Sequence, residues 1–284
     1  MKLNKSELAF RGKSINKFSL KCDDDKDKWF NLIEILHKTD NLNSVIIAGL
    51  YDNRKDIVLK VGILDSINKE FEISKELKNM DNFIRYYCKF VCFDDIQKII
   101  KNEKLIVFYH LCKSGKEQIG ILTMNYYKLG SIGSYEWNEK NIHILKNVLF
   151  HTIYSYINAY LKLGFVHRDL HADNVLLKDK KVYEIDYSYK KILVDTFEVR
   201  IMDFEKSKLN KDLEFILVLQ DIQKLLDSIK NNERYSVKFE YKSGMLRKIK
   251  NKAITEKMSG LTFDNKYFDE LNLIIDSLYV EYAK

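Results

Sequence analysis

The 284-residue chain contains no proline and only 10 glycines. Beside abundant lysine, asparagine and isoleucine, the missing proline points to an AT-rich genome, such as that of a parasite or a large virus. No apolar run approaches the roughly 20 residues that a membrane-spanning helix needs, so no membrane partner is expected. The opening stretch MKLNKSELAFRGKS lacks a hydrophobic signal core, and an intracellular rather than a secreted protein is expected. The four cysteines, Cys22, Cys88, Cys92 and Cys112, form no paired metal-ligand spacing. Reduced, partly buried thiols are their expected state. The net charge is +7, yet the lysines are scattered and no dense basic block with interleaved aromatics occurs. That pattern argues against direct nucleic-acid binding and fits general solubility.

What is present is 46% hydrophobic and 31% charged residues, the balance of a globular chain able to bury a sizeable core. Residues 1–25 are polar and end in Asp23, Asp24 and Asp25; they read as an extension or an early strand. Trp29, Leu32, Ile33 and Leu36 recur at helical spacing, with a strand as the alternative. SVIIAGLY from Ser44 and DIVLKVGIL from Asp56 form a hairpin across the turn DNRK. NKEFEISKELKNM reads as a helix with Ile73, Leu77 and Met80 on one face. Glu70 shares that face, and an inward carboxylate needs a partner, for which Lys60 is the obvious candidate. Glu72 takes that role if the helix phase is shifted.

KLIVFYHLC and IGILTMNYY read as further strands. From Asn141 to Leu163 the residues Leu145, Val148, Leu149, Ile153, Ile157 and Leu161 mark a long amphipathic helix, closed by Gly164. VYEIDYSY and TFEVRIMDF form a second hairpin. DLEFILVLQDIQKLLDSI is an apolar helix in which Asp221 is an isolated charge in need of a partner. A basic connector and a final helix around Phe268 to Tyr282 complete the chain, without a repeat or a second domain.

The chemistry gathers in FVHRDLHADNVLL, from Phe165 to Leu177. Asp169 stands two residues after His167, and Asn174 five residues after Asp169. In a phosphotransferase loop of this spacing the Asp orients and deprotonates the accepting hydroxyl, with Arg168 beside it, and the Asn holds magnesium on the ATP phosphates. Asp203, at the end of the second hairpin, supplies a second magnesium ligand. Lys60 is placed to bind the α and β phosphates, held by Glu70. LTMNYYKLGSI resembles the edge strand and hinge of a kinase, on which register Met124 would guard the adenine pocket and the backbone of Asn125, Tyr126 and Tyr127 would meet the base. On the same kinase register Leu176 would be a further nucleotide contact.

These residues resemble the haspin-like protein kinases. HRDLHADNVLL is similar to the haspin catalytic loop, including His171 where most protein kinases have Lys. EFEISKEL, the hairpin before Asp203, the altered third letter of DFE, the missing A-P-E and the DI-containing helix at Asp221 are similar too. The resemblance implies an α+β bilobal protein-kinase-like fold following an extension at residues 1–25. Its β-rich N-lobe would cover about 26–125 and its mainly helical C-lobe about 126–284. It also implies a monomeric, Mg-ATP-dependent Ser/Thr kinase acting on a protein substrate such as a histone tail. The location would be the nucleus for a cellular protein, and the host cell or virion for a viral one.

Three departures stand out: DFE in place of D-Y-T, a short segment after Asp203, and HKTDNLNSV from His37, a glycine-free loop where phosphates are usually cradled. Asp221 stands only 18 positions after Asp203, which leaves no room for a long activation segment and implies constitutive activity. Two other readings stay open. Small-molecule phosphotransferases of aminoglycoside or choline type share H-x-D-L-H-x-x-N and often follow their metal Asp with Glu. A pseudokinase scaffold that binds nucleotide without turnover would explain the glycine-free loop.

Overall fold

A computed structural model describes residues 17–21, 27–38, 44–51, 55–91, 118–187, 190–212, 214–255 and 265–281. The chain separates into two compact units, Met1–Phe71 with Tyr86–Tyr126, and Glu72–Arg85 with Tyr127–Lys284. The expected loop at 37–45 lies outside the described residues over 39–43, as do KLIVFYHLC and the turn at 52–54.

The first unit is built on a six-stranded antiparallel sheet of order β1-β2-β3-β4-β6-β5. Its strands are β1 (Lys17–Lys21), β2 (Asp27–Lys38), β3 (Ser44–Tyr51), β4 (Lys55–Ile63), β5 (Cys88–Val91) and β6 (Ile119–Asn125). Of the two readings of Trp29, Leu32, Ile33 and Leu36 the strand holds, since all four lie on β2. Irregularities between Leu32 and Glu34 and between Ile35 and His37 explain why the pattern also suited a helix. Each bulge inserts a residue and breaks the two-residue alternation of a strand, which can leave apolar positions at helix-like intervals.

Strand β4 pairs with β3 on one side and β6 on the other. Ile57, Val58, Leu59 and Val61 are all buried, so it reads as a continuous apolar run rather than an alternating one. Helix α1 (Leu64–Glu76) follows without a loop, its first amide donating to the Gln118 carbonyl at 2.8 Å. Leu64 therefore opens the helix instead of closing the strand, and Leu77 falls in a single 3-10 turn, Leu77–Asn79. Gly120 on β6 is required by this packing, because a Cβ there would meet Ile67 Cγ2 at 2.7 Å. Cys88 is disulfide-bonded, against the reduced state expected of it. Sequence spacing reports neighbours along the chain, not thiols that folding brings together.

The second unit is mainly helical. Helix α2 (Ile142–Leu163) buries Leu145, Val148, Leu149, Ile153 and Ile157, the predicted stripe, whereas Leu161 is exposed. Gly164 ends it in the left-handed conformation, φ 66°, with its amide on the Tyr160 carbonyl. A methyl group at Gly164 would run into the Asn210–Lys211 backbone. Next come β7 (Phe165–Val166), a 3-10 turn at Ala172–Asn174, and the hairpin of β8 (Val175–Tyr187) and β9 (Lys190–Ile201). Short strand β10 (Lys208–Leu209) pairs back onto β7. Helices α3 (Phe215–Lys230), α4 (Ser243–Thr255) and α5 (Asn265–Asp276) complete the unit. The basic connector thus carries a helix of its own, α4. The final helix stops at Asp276, because Tyr279–Glu281 forms strand β12 against β11 (Lys238–Glu240).

Beneath the loop after β7 lies an aromatic core. Phe165 meets Phe83, Tyr156 and Phe204 edge-on, with ring centroids 5.5, 5.9 and 5.8 Å apart. Such edge-to-face pairs add about 0.5–1.5 kcal/mol each beyond the area they bury.

Candidate active site

In the first unit, Lys60 sits on β4 opposite Leu122 and is only 8% exposed. A buried ammonium is costly without a counter-charge. Glu70, fully buried on α1, supplies it: Lys60 Nζ donates to Glu70 Oε2 at 2.7 Å. The Tyr86 hydroxyl donates to the other carboxylate oxygen, a partner that sequence reasoning missed because it stands 16 residues away with no local pattern. Glu72 is exposed and pairs with Lys75 at 2.9 Å, so the helix phase selects Glu70. Met124 is buried on β6 opposite Val58, Asn125 is the last residue of that strand, and half-buried Tyr126 follows it.

In the second unit, the loop from His167 is anchored by one buried carboxylate. Asp221 on α3 is 4% exposed. It accepts from the Arg168 amide at 2.7 Å and from the Tyr156 hydroxyl at 2.5 Å, and the Tyr156 oxygen in turn accepts from the His167 amide at 3.1 Å. Burial, then the Asp221 charge, push the Tyr156 hydroxyl well above its ordinary range, so it stays a donor. His167 is fully buried, and one ring nitrogen bonds the Met202 carbonyl at 2.8 Å. Burial lowers its pKa, which keeps the ring neutral. Its role is to tie the loop to the chain leaving β9.

This anchoring holds unusual backbone. Arg168 and Asp203 both have φ of 67°, in the left-handed region that residues with a Cβ disfavour by roughly 1–2 kcal/mol. Among the described residues only Asn82 shares that feature outside glycine. Asn174 is buried, and its Nδ2 donates to the Asp169 carbonyl at 3.0 Å, leaving the amide oxygen as the group available to a cation. The Met202 amide donates to the Asn174 carbonyl at 2.9 Å, which ties the Asn174 turn to the segment carrying Asp203. Half-buried Leu176 lies two residues further on, on β8, bridged to Ser131 and close in sequence to the Leu177 amide that bonds Gly130. Tyr127 lies in the same unit, its carbonyl accepting from the Gly130 amide at 3.0 Å.

Asp169 carries the largest surprise. Lys206 Nζ lies 2.6 Å from its Oδ2, and Lys224 pairs with its Oδ1. Burial alone would push this carboxyl up, but the hydrogen bonds and charges of the two lysines outweigh it and bring its pKa down to about 2. Sequence reading passed over both lysines among so many others. One signal was available: Lys224 stands three residues after Asp221, on the same helix face.

As a donor set, the Asn174 amide oxygen and the Asp203 carboxylate are hard oxygen ligands. Among the described residues no group of three or more His, Cys, Asp or Glu side chains could hold a metal by itself. The pair therefore suits magnesium that completes its shell from phosphates and water.

A family model described as protein tyrosine and serine/threonine kinase matches residues 71–208, just under half of the chain. The match includes Asp169, Asn174 and Asp203, and begins one residue after Glu70. The chain is therefore kinase-like over this segment, with phosphotransfer to proteins as the activity such a domain supports. Among curated proteins, none matches the chain.

Proposed function

We propose that the protein is a Mg-ATP-dependent Ser/Thr protein kinase of haspin-like type, active without phosphorylation of an activation segment. The observation that carries this reading is the anchoring of the Arg168–Asp169 backbone by buried Asp221, which fixes an acceptor-side carboxylate before any substrate arrives. Asn174 and Asp203 would hold magnesium, whose charge would neutralise the phosphates during transfer. Lys60, steadied by Glu70, would bind the α and β phosphates. Asp169 would orient the accepting hydroxyl and take its proton. Most of the rate would come from positioning and charge neutralisation.

Constitutive activity has its own support. Between Asp203 and Asp221 the single hydroxyl residue is Ser207, which is fully buried and donates to the His167 carbonyl at 3.1 Å. A modifying enzyme has no access to it without local unfolding. The segment is also short, and β10 within it is committed to β7.

The test is transfer of labelled γ-phosphate to a histone mixture and, in parallel, to small alcohols and aminoglycosides. Purified bacterially expressed protein should label a histone Ser or Thr, and Asp169→Asn should lose at least about 100-fold in rate, the usual scale for a positioned acid–base group. Labelling of a small alcohol instead would replace the protein-kinase reading with small-molecule phosphotransfer. Nucleotide-induced thermal stabilisation with magnesium but no turnover would leave a pseudokinase.

A further inference from the structure

Two lysines from different elements close on one carboxylate, and neither is explained by the fold. Lys206 is 62% exposed and Lys224 48% exposed at the side chain, so their ion pairs with Asp169 contribute little to stability. Both are nevertheless placed with care. Lys224 stands one turn beyond Asp221, the residue that fixes the Arg168 amide. Lys206 precedes Ser207, which bonds the His167 carbonyl. Each ammonium is thus registered to the loop through a neighbour, while its own four-carbon stem stays free in solvent.

The pairing has a chemical consequence. With Lys206 on Oδ2 and Lys224 on Oδ1, both carboxylate oxygens are engaged, and a substrate hydroxyl needs one of them. At least one lysine must turn away when substrate binds. A hydroxyl hydrogen-bonded to Asp169 sits about 2.7 Å from the carboxylate. It must also lie about 3–3.5 Å from the phosphorus it attacks. The oxygens of the transferring group then fall within a short swing of both ammonium groups, each of which has three N–H donors to share.

We infer that Lys206 and Lys224 contact the γ-phosphoryl group of the bound nucleoside triphosphate, holding Asp169 in the free protein and passing to the phosphoryl oxygens when the triphosphate binds. This rests on the phosphotransferase reading. In the step they serve, the acceptor oxygen forms its bond to the γ-phosphorus as the bond from that phosphorus to the β-phosphate bridging oxygen breaks. The hydroxyl proton passes to Asp169, and the nucleoside diphosphate leaves with the electron pair. The lysines balance charge on the three equatorial oxygens and exchange no proton.

The test is equilibrium binding, which needs no turnover. Affinities for a non-hydrolysable ATP analogue and for ADP, both with magnesium, are measured by calorimetry on wild type, Lys206→Met, Lys224→Met and the double variant. Loss of one charge-assisted contact should cut the preference for the triphosphate about tenfold per lysine, with ADP affinity unchanged. Lys206→Arg, which keeps the charge, should retain most of the preference. An unchanged preference in both single variants would reduce the lysines to structural partners of Asp169 and overturn the inference. So would a rise in KM for the protein substrate alone, read in a parallel phosphotransfer assay, which would make them readers of an acidic acceptor. Wild type that binds no nucleotide would instead sink the kinase reading itself, and this inference with it.

Discussion

Replacing Asp221 by alanine removes one carboxylate and two short bonds at once. The Arg168 amide and the Tyr156 hydroxyl lose their acceptor in a site that is almost completely buried. Hydrogen bonds to a charged group contribute about 1.5–3 kcal/mol each, so a loss of roughly 3–5 kcal/mol is expected for Asp221→Ala. Asp221→Asn keeps one accepting oxygen and should cost about 1–2 kcal/mol. Because Tyr156 also accepts from the His167 amide, Asp221→Ala and Tyr156→Phe share partners and should be non-additive by about 1–2 kcal/mol. The functional effect should exceed the loss in stability. Without the anchor, Arg168 is free to leave φ of 67° for an ordinary backbone region, and Asp169 moves with it. Urea unfolding gives the stabilities, and phosphotransfer with nucleotide binding gives the partition. Turnover should fall more than about tenfold while nucleotide affinity holds, the signature of lost positioning. A cost below about 1 kcal/mol for Asp221→Ala, or strictly additive variants, would refute the anchoring argument.

The Lys60–Glu70 pair gives a second prediction: Glu70→Ala takes the carboxylate away from a buried ammonium and from the Tyr86 hydroxyl, and should cost about 3 kcal/mol in urea unfolding. Glu70→Gln, which keeps shape and an acceptor for Tyr86, should cost distinctly less. His151 gives a third. It is buried, and Asn82 Nδ2 lies 2.6 Å from its Nε2, a donor that only the neutral ring accepts. Burial, with the charge of Arg200, lowers its pKa to about 4 despite the opposing charge of Asp81. Between its unfolded value of about 6.5 and that value the native ring binds fewer protons than the unfolded one. Stability from this residue is therefore complete above pH 6.5 and falls as pH drops, by about 3 kcal/mol in all. The urea midpoint of His151→Gln should vary less across this window than that of wild type; parallel curves would contradict the assignment.

The parts of the fold that could be read from sequence are those with a local rule behind them. The stripe of α2 and its glycine stop follow from helical period and from the one residue type that accepts φ of 66° without penalty. The pairing of Lys60 with Glu70 followed from the cost of burying either charge alone. Asp221 was legible for the same reason, as an acid in an apolar helix. Strand β2 was legible only as one of two readings, because two irregularities broke its alternation. The lysines on Asp169 were not legible: an exposed lysine has no local reason to be where it is, and only the folded chain brings residues 169, 206 and 224 together.

The hairpin of β8 and β9 has a consequence for how this site can vary. Val175 pairs with Ile201 at its base, and the candidate magnesium ligands stand just outside that pair, one residue before it and two after. The long excursion between Asn174 and Asp203 is thereby closed off by its own first rungs. Extending its far end adds loop-closure entropy that grows only with the logarithm of length, while the spacing of the two ligands stays set at the base. The hairpin is a graft point. Its outer half can be lengthened, recoded for a new partner or fused to another domain, and the chemistry at its root need not register the change.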